Sequence, residues 1–379
     1  MNWNGLDQGT FALCLLPFAF LGDFFVLETY RVLISAAPEM LEAAIDEIRF
    51  GEYGVAAQRL SPEVAMVELE QPLAEWQAAL NKRPAIFVRH IAPVHRELML
   101  DGTPDDLERL TQVALNLAPH LPARKPFAVQ TRLLDEHVKL TRFEINQALA
   151  EAVSQVSGLP LDVRNPQGVL SVALSMDRAY LGVSTVEFNR SAWAGGAHRF
   201  AREQGQLSRA EFKLLEAQAL FNIEWPDHGQ ALDLGAAPGG WTRILRRAGL
   251  PVVAIDPADL HPSLRYDQGV RHLQILAQRF LPTQERFTVI VNDMRIDARD
   301  SAWLMVDSAN ALTNDGLAVV TLKLPHEHSA QIAYHSLSIL RTAYWVIGAR
   351  QLFHNRSEVT AVLRKKHEKR PKPEQLPRD

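Results

Sequence analysis

The chain has 379 residues, of which 47% are hydrophobic and 22% charged, with a net charge of -4 and a pI near 6.4. That length suggests two or three domains, each able to bury a core. The balance excludes a globally basic nucleic-acid binder, so any such contact must come from local patches. The single cysteine, Cys14, excludes an intrachain disulfide and fits a reducing cytoplasm.

Residues 1–28 read as an apolar extension. Within it, FALCLLPFAFLGDFFVL at 11–27 is interrupted by Pro17 and Asp23, and no lysine or arginine precedes it. It is short for a spanning helix and lacks the charged start of a secretory signal. A packed extension and an upstream start codon both remain open, and no membrane association is expected.

Residues 29–122 alternate regularly. The pattern predicts strands over 30–35, 64–69 and 85–90, with helices over 40–50 and 73–81 and a further helix over 105–117. This is a small α+β unit of ferredoxin-like type. Residues 123–188 form a second α+β unit, with strands over 127–134 and 161–164, a helix over 144–156, and a hairpin of 169–176 and 179–186 around Asp177-Arg178. Residues 189–207 are a Gly- and Arg-containing linker bearing Trp193. Such a segment suits base stacking and phosphate contact, and equally suits mere connection. Counting Arg190, Arg199, Arg202, Arg209 and Lys213 against Glu203 and Glu211 gives the 190–213 stretch a local net charge of +3.

Residues 208–364 form a third unit, an α/β domain of Rossmann-like pattern. A capping box, Ser208-Arg-Ala-Glu211, opens its first helix. The central motif is ALDLGAAPGGWTRILRRAGLPVVAID at 231–256. A strand over 232–234 runs into Gly235-Ala-Ala-Pro-Gly-Gly240, a helix runs over 241–248, and a strand over 252–255 ends at Asp256. This is half of a doubly wound sheet, which binds ligands beyond the strands' carboxyl ends.

The G-x-x-x-G-G spacing with Pro238 inside it is not the dinucleotide fingerprint G-x-G-x-x-G. Asp233 at the strand end suits a sulfonium or ammonium group better than a phosphate. Asp256 stands 21 residues after Gly235, placed to accept hydrogen bonds from a ribose diol. Together with the glycine-rich turn Gly235-Ala-Ala237-Pro238-Gly239-Gly240 and the helix opening at Trp241, this points to S-adenosylmethionine. Downstream come strands over 287–292, 317–324, 343–347 and 358–363, and helices over 302–312 and 329–341. The tail at 365–379 is charged and proline-rich, with the composition of a disordered segment.

Four polar residues stand at strand ends or helix starts: Lys213, Asp293, Lys323 and Glu358. With the stretches SRAEFKLLEA, LDLGAAPGGWT, LKLP and ARQLFHNRSEVTAVLR, the third unit resembles the FtsJ-type RNA ribose 2′-O-methyltransferases. PFAVQTRLL, DVRNPQGVLSVALS and AYLGV, from Pro126 on, resemble a THUMP domain, an RNA-capturing module. The likeness extends over about 30–364, to bacterial large-subunit ribosomal RNA methyltransferases that join the two.

The resemblance implies a Lys-Asp-Lys-Glu catalytic set of Lys213, Asp293, Lys323 and Glu358. It implies cofactor contacts at Ser208, at the loop 237–240, at Asp256 and at Asp293, and an adenine contact at Gln278, where the family usually has an acid. It further implies a large-subunit ribosomal RNA substrate and a cytidine within it. Chemically, a ribose hydroxyl is a poor nucleophile until deprotonated, which gives Lys323 the role of base. A base working near neutrality needs its lysine lowered from about 10.4, by desolvation and by the charge of Lys213. His326 and His328 have no cysteine partners or spaced third ligand, so no metal site is expected. The combined expectation is a cytoplasmic RNA 2′-O-methyltransferase: a Rossmann-like adenosylmethionine-dependent methyltransferase domain behind an α+β RNA-binding region. An RNA-binding or ribosome-assembly protein that has lost catalysis on the same scaffold is the alternative.

Overall fold

The computed structural model describes residues 27–50, 56–198, 200–201 and 204–366. The expectations placed on the stretch before Leu27, on the tail from 367, and on Arg199, Arg202 and Glu203 fall outside these.

The first unit is built from β1 (Arg31–Ser35), α1 (Leu41–Phe50), β2 (Ala56–Ser61), β3 (Val64–Glu68), α2 (Leu73–Lys82) and β4 (His90–Pro93). Its sheet runs β2-β3-β1-β4, with β1 antiparallel to both neighbours. That is a ferredoxin-like β-α-β-β-α-β arrangement. Two local expectations are corrected. The strand β2 is largely exposed and so carries little of the apolar alternation that reveals a strand. The apolar run at 85–90 is a buried loop, and the strand begins only at His90. Its amides are satisfied by a side chain: Ile86 and Phe87 donate to the Glu47 carboxylate at 2.7 and 2.9 Å. With that partner available, the run can be buried without a strand neighbour.

The second unit comprises β5 (Arg96–Met99), α3 (Asp105–Leu117), β6 (Phe127–Leu133), α4 (Arg142–Ser157), β7 (Gly168–Leu174) and β8 (Arg178–Thr185). The strands lie in the order β5-β8-β7-β6. A capping box starts α4, with Thr141 and Glu144 exchanging hydrogen bonds, and Gly158 in the left-handed region ends it. The predicted strand at 161–164 reduces to a single bridge between Leu161 and Phe127. The Asp162 carboxylate accepts from the amides of Arg164 and Asn165, both at 2.9 Å, and turns the chain there. The chain passes from the first sheet to the second through Val94-His95, and a short α5 (Val186–Asn189) closes the unit.

The third unit contains α6 (Ala210–Leu220), β9 (Ala231–Leu234), α7 (Gly240–Arg247), β10 (Val252–Ile255), α8 (Pro262–Arg265), β11 (Val270–Leu273) and α9 (Ala277–Phe280). It continues with β12 (Phe287–Asn292), α10 (Ala298–Ser308), β13 (Leu312–Lys323), α11 (Ser329–Leu340), β14 (Tyr344–Arg350) and β15 (Glu358–Lys365). The seven strands run β11-β10-β9-β12-β13-β15-β14, parallel from β11 to β13, with β15 and β14 antiparallel at the end. From β9 the chain winds one way through β10 and β11, then returns to the other side with β12. The crevice therefore lies at the carboxyl ends of β9 and β12. Helix α10 begins four residues earlier than the predicted 302. Asp297 caps it by accepting from the Arg299 amide at 2.8 Å, and Leu312 is already paired with Phe287 in the sheet.

One buried apolar cluster runs from Met40, Ile45 and Phe87 of the first unit into Leu322, Leu337 and Tyr344 of the third. The units thus share a core rather than hanging on a linker.

Candidate active site

The fold brings Lys213, Asp293, Lys323 and Glu358 together at the crevice. Lys213 comes from α6, Asp293 directly follows β12, and Lys323 and Glu358 face each other across the antiparallel β13–β15 pair. Each ammonium contacts both carboxylates. Lys213 Nζ lies 3.2 Å from Asp293 and 2.9 Å from Glu358, while Lys323 Nζ lies 3.0 Å from Glu358 and in short contact with Asp293. The result is a closed ring of alternating charge. The four side chains retain between 13% and 18% of their exposure, so water screens the ring only in part.

Thr321 completes the arrangement, and sequence reasoning did not single it out. Its hydroxyl donates to Asp293 at 2.5 Å and accepts from Lys323 Nζ at 2.7 Å. Burial pushes the Asp293 carboxyl up, but Lys323 and Lys213 outweigh it and hold the group below the usual carboxylate range. Burial pushes Lys213 down, and Asp293 and Glu358 more than reverse this, so Lys213 keeps its proton.

Beside the ring lies the glycine loop. Gly235 and Gly239 adopt φ of 76° and 112°, open to glycine and strained for other residues. Gly240 at the start of α7 has no room for a side chain, since a Cβ there would stand 2.3 Å from Ser208 Oγ. That Ser208 hydroxyl is buried and has no hydrogen-bond partner among the described residues. Asp256 receives the amides of Ala237 at 3.1 Å and Ala258 at 2.8 Å. It thereby ties the loop to the end of β10, and each oxygen keeps further acceptor capacity. Asp233 is buried at the end of β9 and accepts from the Thr242 hydroxyl at 2.6 Å. Burial, with Asp293 and Asp256 adding to it against the Thr242 bond, pushes its carboxyl up to about 7. A buried acid with that shift is a natural neighbour for a cation. An unpartnered hydroxyl, a diol-ready carboxylate and a cation-seeking acid around one loop fit adenosylmethionine.

Residues 206–365 match the family model described as FtsJ-like methyltransferase, and residues 104–184 match the THUMP domain. Residues 206–365 form an FtsJ-like methyltransferase domain. Several curated relatives carry the name Ribosomal RNA large subunit methyltransferase M. The one from Halorhodospira halophila is 36% identical over 183 residues, 46% of this chain and 52% of the relative. That from Pseudomonas syringae pv. syringae is 31% identical over 57% of this chain and 63% of its own. That from Idiomarina loihiensis is 28% identical over 83% of this chain and 89% of its own. The chain thus spans 52% and 63% of the length of the first two of these relatives. The solved structure of TrmN from Thermus thermophilus matches 89% of this chain and 100% of its own at 19% identity, with a TM-score of 0.40, too loose a likeness to bear on function.

Within the methyltransferase domain other sequence expectations land differently. Trp241 is buried, and its indole N–H donates to Ala210 O at 2.8 Å, so its side chain fastens α7 to α6. Gln278 stands exposed on the short α9 beyond β11. The capping box at α6 is half made. Glu211 accepts from the amides of Leu207 at 2.6 Å and Ser208 at 3.4 Å, while the serine hydroxyl makes no cap. Of the described members of that basic patch, Arg190 is half-buried and donates to Ala85 O at 2.8 Å, Lys213 is in the charged ring, and Arg209 is exposed. Trp193 is exposed and packs on His198, at the start of a chain of ring contacts reaching Phe212 and His354. Among the described residues no group of three or more His, Cys, Asp or Glu is placed to hold a metal, and no helix is long and apolar enough to cross a membrane.

Proposed function

We propose that the chain is an S-adenosylmethionine-dependent RNA ribose 2′-O-methyltransferase of the cytoplasm, acting on large-subunit ribosomal RNA captured with the help of the THUMP unit. The carrying observation is the closed ring of Lys213, Asp293, Lys323 and Glu358 at the switch point beside the glycine loop. The names of the curated relatives support the RNA.

Adenosylmethionine, held by Ser208, Asp233, the 235–240 loop and Asp256, supplies the methyl group. Lys323 in its neutral form accepts the proton of the ribose 2′-hydroxyl. Asp293 and Thr321 aim its amine, since both hydrogen-bond Nζ. Lys213 stays charged and orients the substrate oxygen through its remaining donor capacity, and Glu358 holds both lysines in register. The intact ring disfavours a purely binding role.

The test is single-turnover methyl transfer from labelled cofactor to unmethylated large-subunit RNA. Lys323→Met keeps the apolar stem and removes the amine, so cofactor affinity should be retained while transfer falls by roughly 10²–10⁴-fold. A near-native rate in that variant would reject Lys323 as the base.

A further inference from the structure

The turn between β14 and β15, residues 351–357, leads directly into Glu358, and it is gripped from two sides by side chains remote in sequence. On one side stands Glu216, one turn beyond Lys213 on α6 and only 4% exposed. Its carboxylate accepts from the Phe353 amide at 2.7 Å, the His354 amide at 2.9 Å and the His354 ring Nδ1 at 2.8 Å. On the other side the first unit reaches in. Arg89 Nη2 donates to Leu352 O at 2.7 Å and to Asn355 O at 3.0 Å, and its guanidinium lies over the Phe353 ring. Gln351 donates its amide to Ile86 O at 2.8 Å and accepts from the Ala37 amide at 3.3 Å. The same turn touches the base strand, because Leu324, next to Lys323, donates to Ser357 O at 2.7 Å.

From this we infer that Glu216 and Arg89 are positioning residues for the charged ring, and that the first unit helps fix catalytic geometry. Glu216 sets α6, with Lys213, against the turn that carries Glu358. Arg89 holds that turn from the amino-terminal side. Since Glu358 contacts both lysines, a shift of the turn moves Lys213 and Lys323 together. Misplacement of about 1 Å at a reacting constellation costs on the order of 10²-fold in rate. The inference rests on the proposed methyl transfer for its kinetic arm, and on geometry alone for the other.

The test uses the full chain with Glu216→Gln, Arg89→Met and Arg89→Lys. Gln turns a donor toward the His354 amide, Met removes both carbonyl contacts, and Lys restores one donor group. With unmodified large-subunit RNA transcribed in vitro, kcat per cofactor-binding site should fall about 10- to 100-fold in Glu216→Gln and Arg89→Met. The KM for RNA and the cofactor affinity should stay within about twofold, and Arg89→Lys should recover part of the loss. A purely structural role would lower the number of binding sites and leave kcat per site unchanged, which overturns the proposal. Amide exchange by mass spectrometry provides the arm independent of activity: the 351–364 peptide should exchange faster in both damaging variants. Unchanged exchange there overturns the inference, while absence of transfer by the native chain counts against the methyltransferase reading alone.

Discussion

Asp233 is a buried acid beside the glycine loop, and its proposed contact with the cofactor makes binding pH-dependent. Its carboxyl is held up at about 7, chiefly by burial. If a sulfonium or ammonium group sits beside it, the attraction exists only when the acid is ionised. Adenosylmethionine affinity should therefore rise with pH up to about 7, by at most about tenfold per unit, and then level off. Asp233→Asn removes the titrating group, so the difference between native and variant affinities should vanish at low pH and grow toward neutrality. Calorimetry across pH 5–8 reads this directly, and parallel curves for the two proteins would reject the contact. At Asp256 the structure enlarges the expectation from sequence. That carboxylate also anchors the loop through the Ala237 amide. Asp256→Ala should weaken cofactor binding by more than about tenfold, because charge-assisted bonds are worth roughly 1.5–3 kcal/mol each. Unchanged affinity by calorimetry would remove Asp256 from the pocket.

At the scale of elements, the junction of the two amino-terminal sheets depends on one small residue. Gly182 in β8 lies against β4, where a Cβ would stand 1.9 Å from the Pro93 carbonyl oxygen. That obstacle is backbone and cannot rotate away. Gly182→Ala should therefore part the sheets locally and cost roughly 1–3 kcal/mol, seen as a lowered thermal midpoint. By comparison, Thr141→Ala removes only an exposed helix cap and should cost about 1 kcal/mol. Equal midpoints for Gly182→Ala and the native chain would show that the contact relaxes freely. The elements legible in the sequence were those whose signals are local. The β-loop-α-β motif at 231–256 carries its own turn glycines and apolar strands, and the charged ring is legible because Asp293, Lys323 and Glu358 follow, end or open strands and Lys213 lies in the first turn of α6. The loop at 85–89 was misread because Glu47, about 40 residues away, satisfies its amides. Arg89, Arg190 and Arg350 resemble surface charges in a linear reading, yet Arg89 and Arg350 are buried and Arg190 half-buried between units, with backbone carbonyls as acceptors. Glu216 and its clients at 353–354 lie 137 and 138 residues apart, beyond any periodic signal.

For the molecule as a whole, the joint between the first two units carries a pH liability of its own. His95 stands where the chain leaves one sheet for the other, 9% exposed. Its Nδ1 accepts from the Val183 amide at 3.2 Å and its Nε2 donates to Leu27 O at 2.9 Å, a pattern that only the neutral ring satisfies. Burial, joined by His120 and Arg96 and opposed by the Leu27 carbonyl, lowers it to about 4. His90, in the crevice between the sheets, is lowered to about 3 by burial with Arg132 and Arg350. Both pKa values are depressed on folding, so the unfolded chain binds protons below about 6.5 that the folded chain refuses. Their contribution is complete above about 6.5 and is lost as pH falls toward 4. Asp233 acts in the opposite sense, because its raised pKa favours the folded state as pH drops from about 7 to 4. The two effects partly cancel in the native protein, and a bare stability curve would conceal them. A difference measurement separates them. His95→Gln keeps one acceptor and one donor without a titrating ring, and Asp233 is common to both proteins. The stability of the variant relative to the native chain should therefore improve by about 3 kcal/mol between pH 7 and pH 4. Urea unfolding of both proteins at each pH gives that difference, and a constant offset would mean that His95 takes up its proton as readily folded as unfolded.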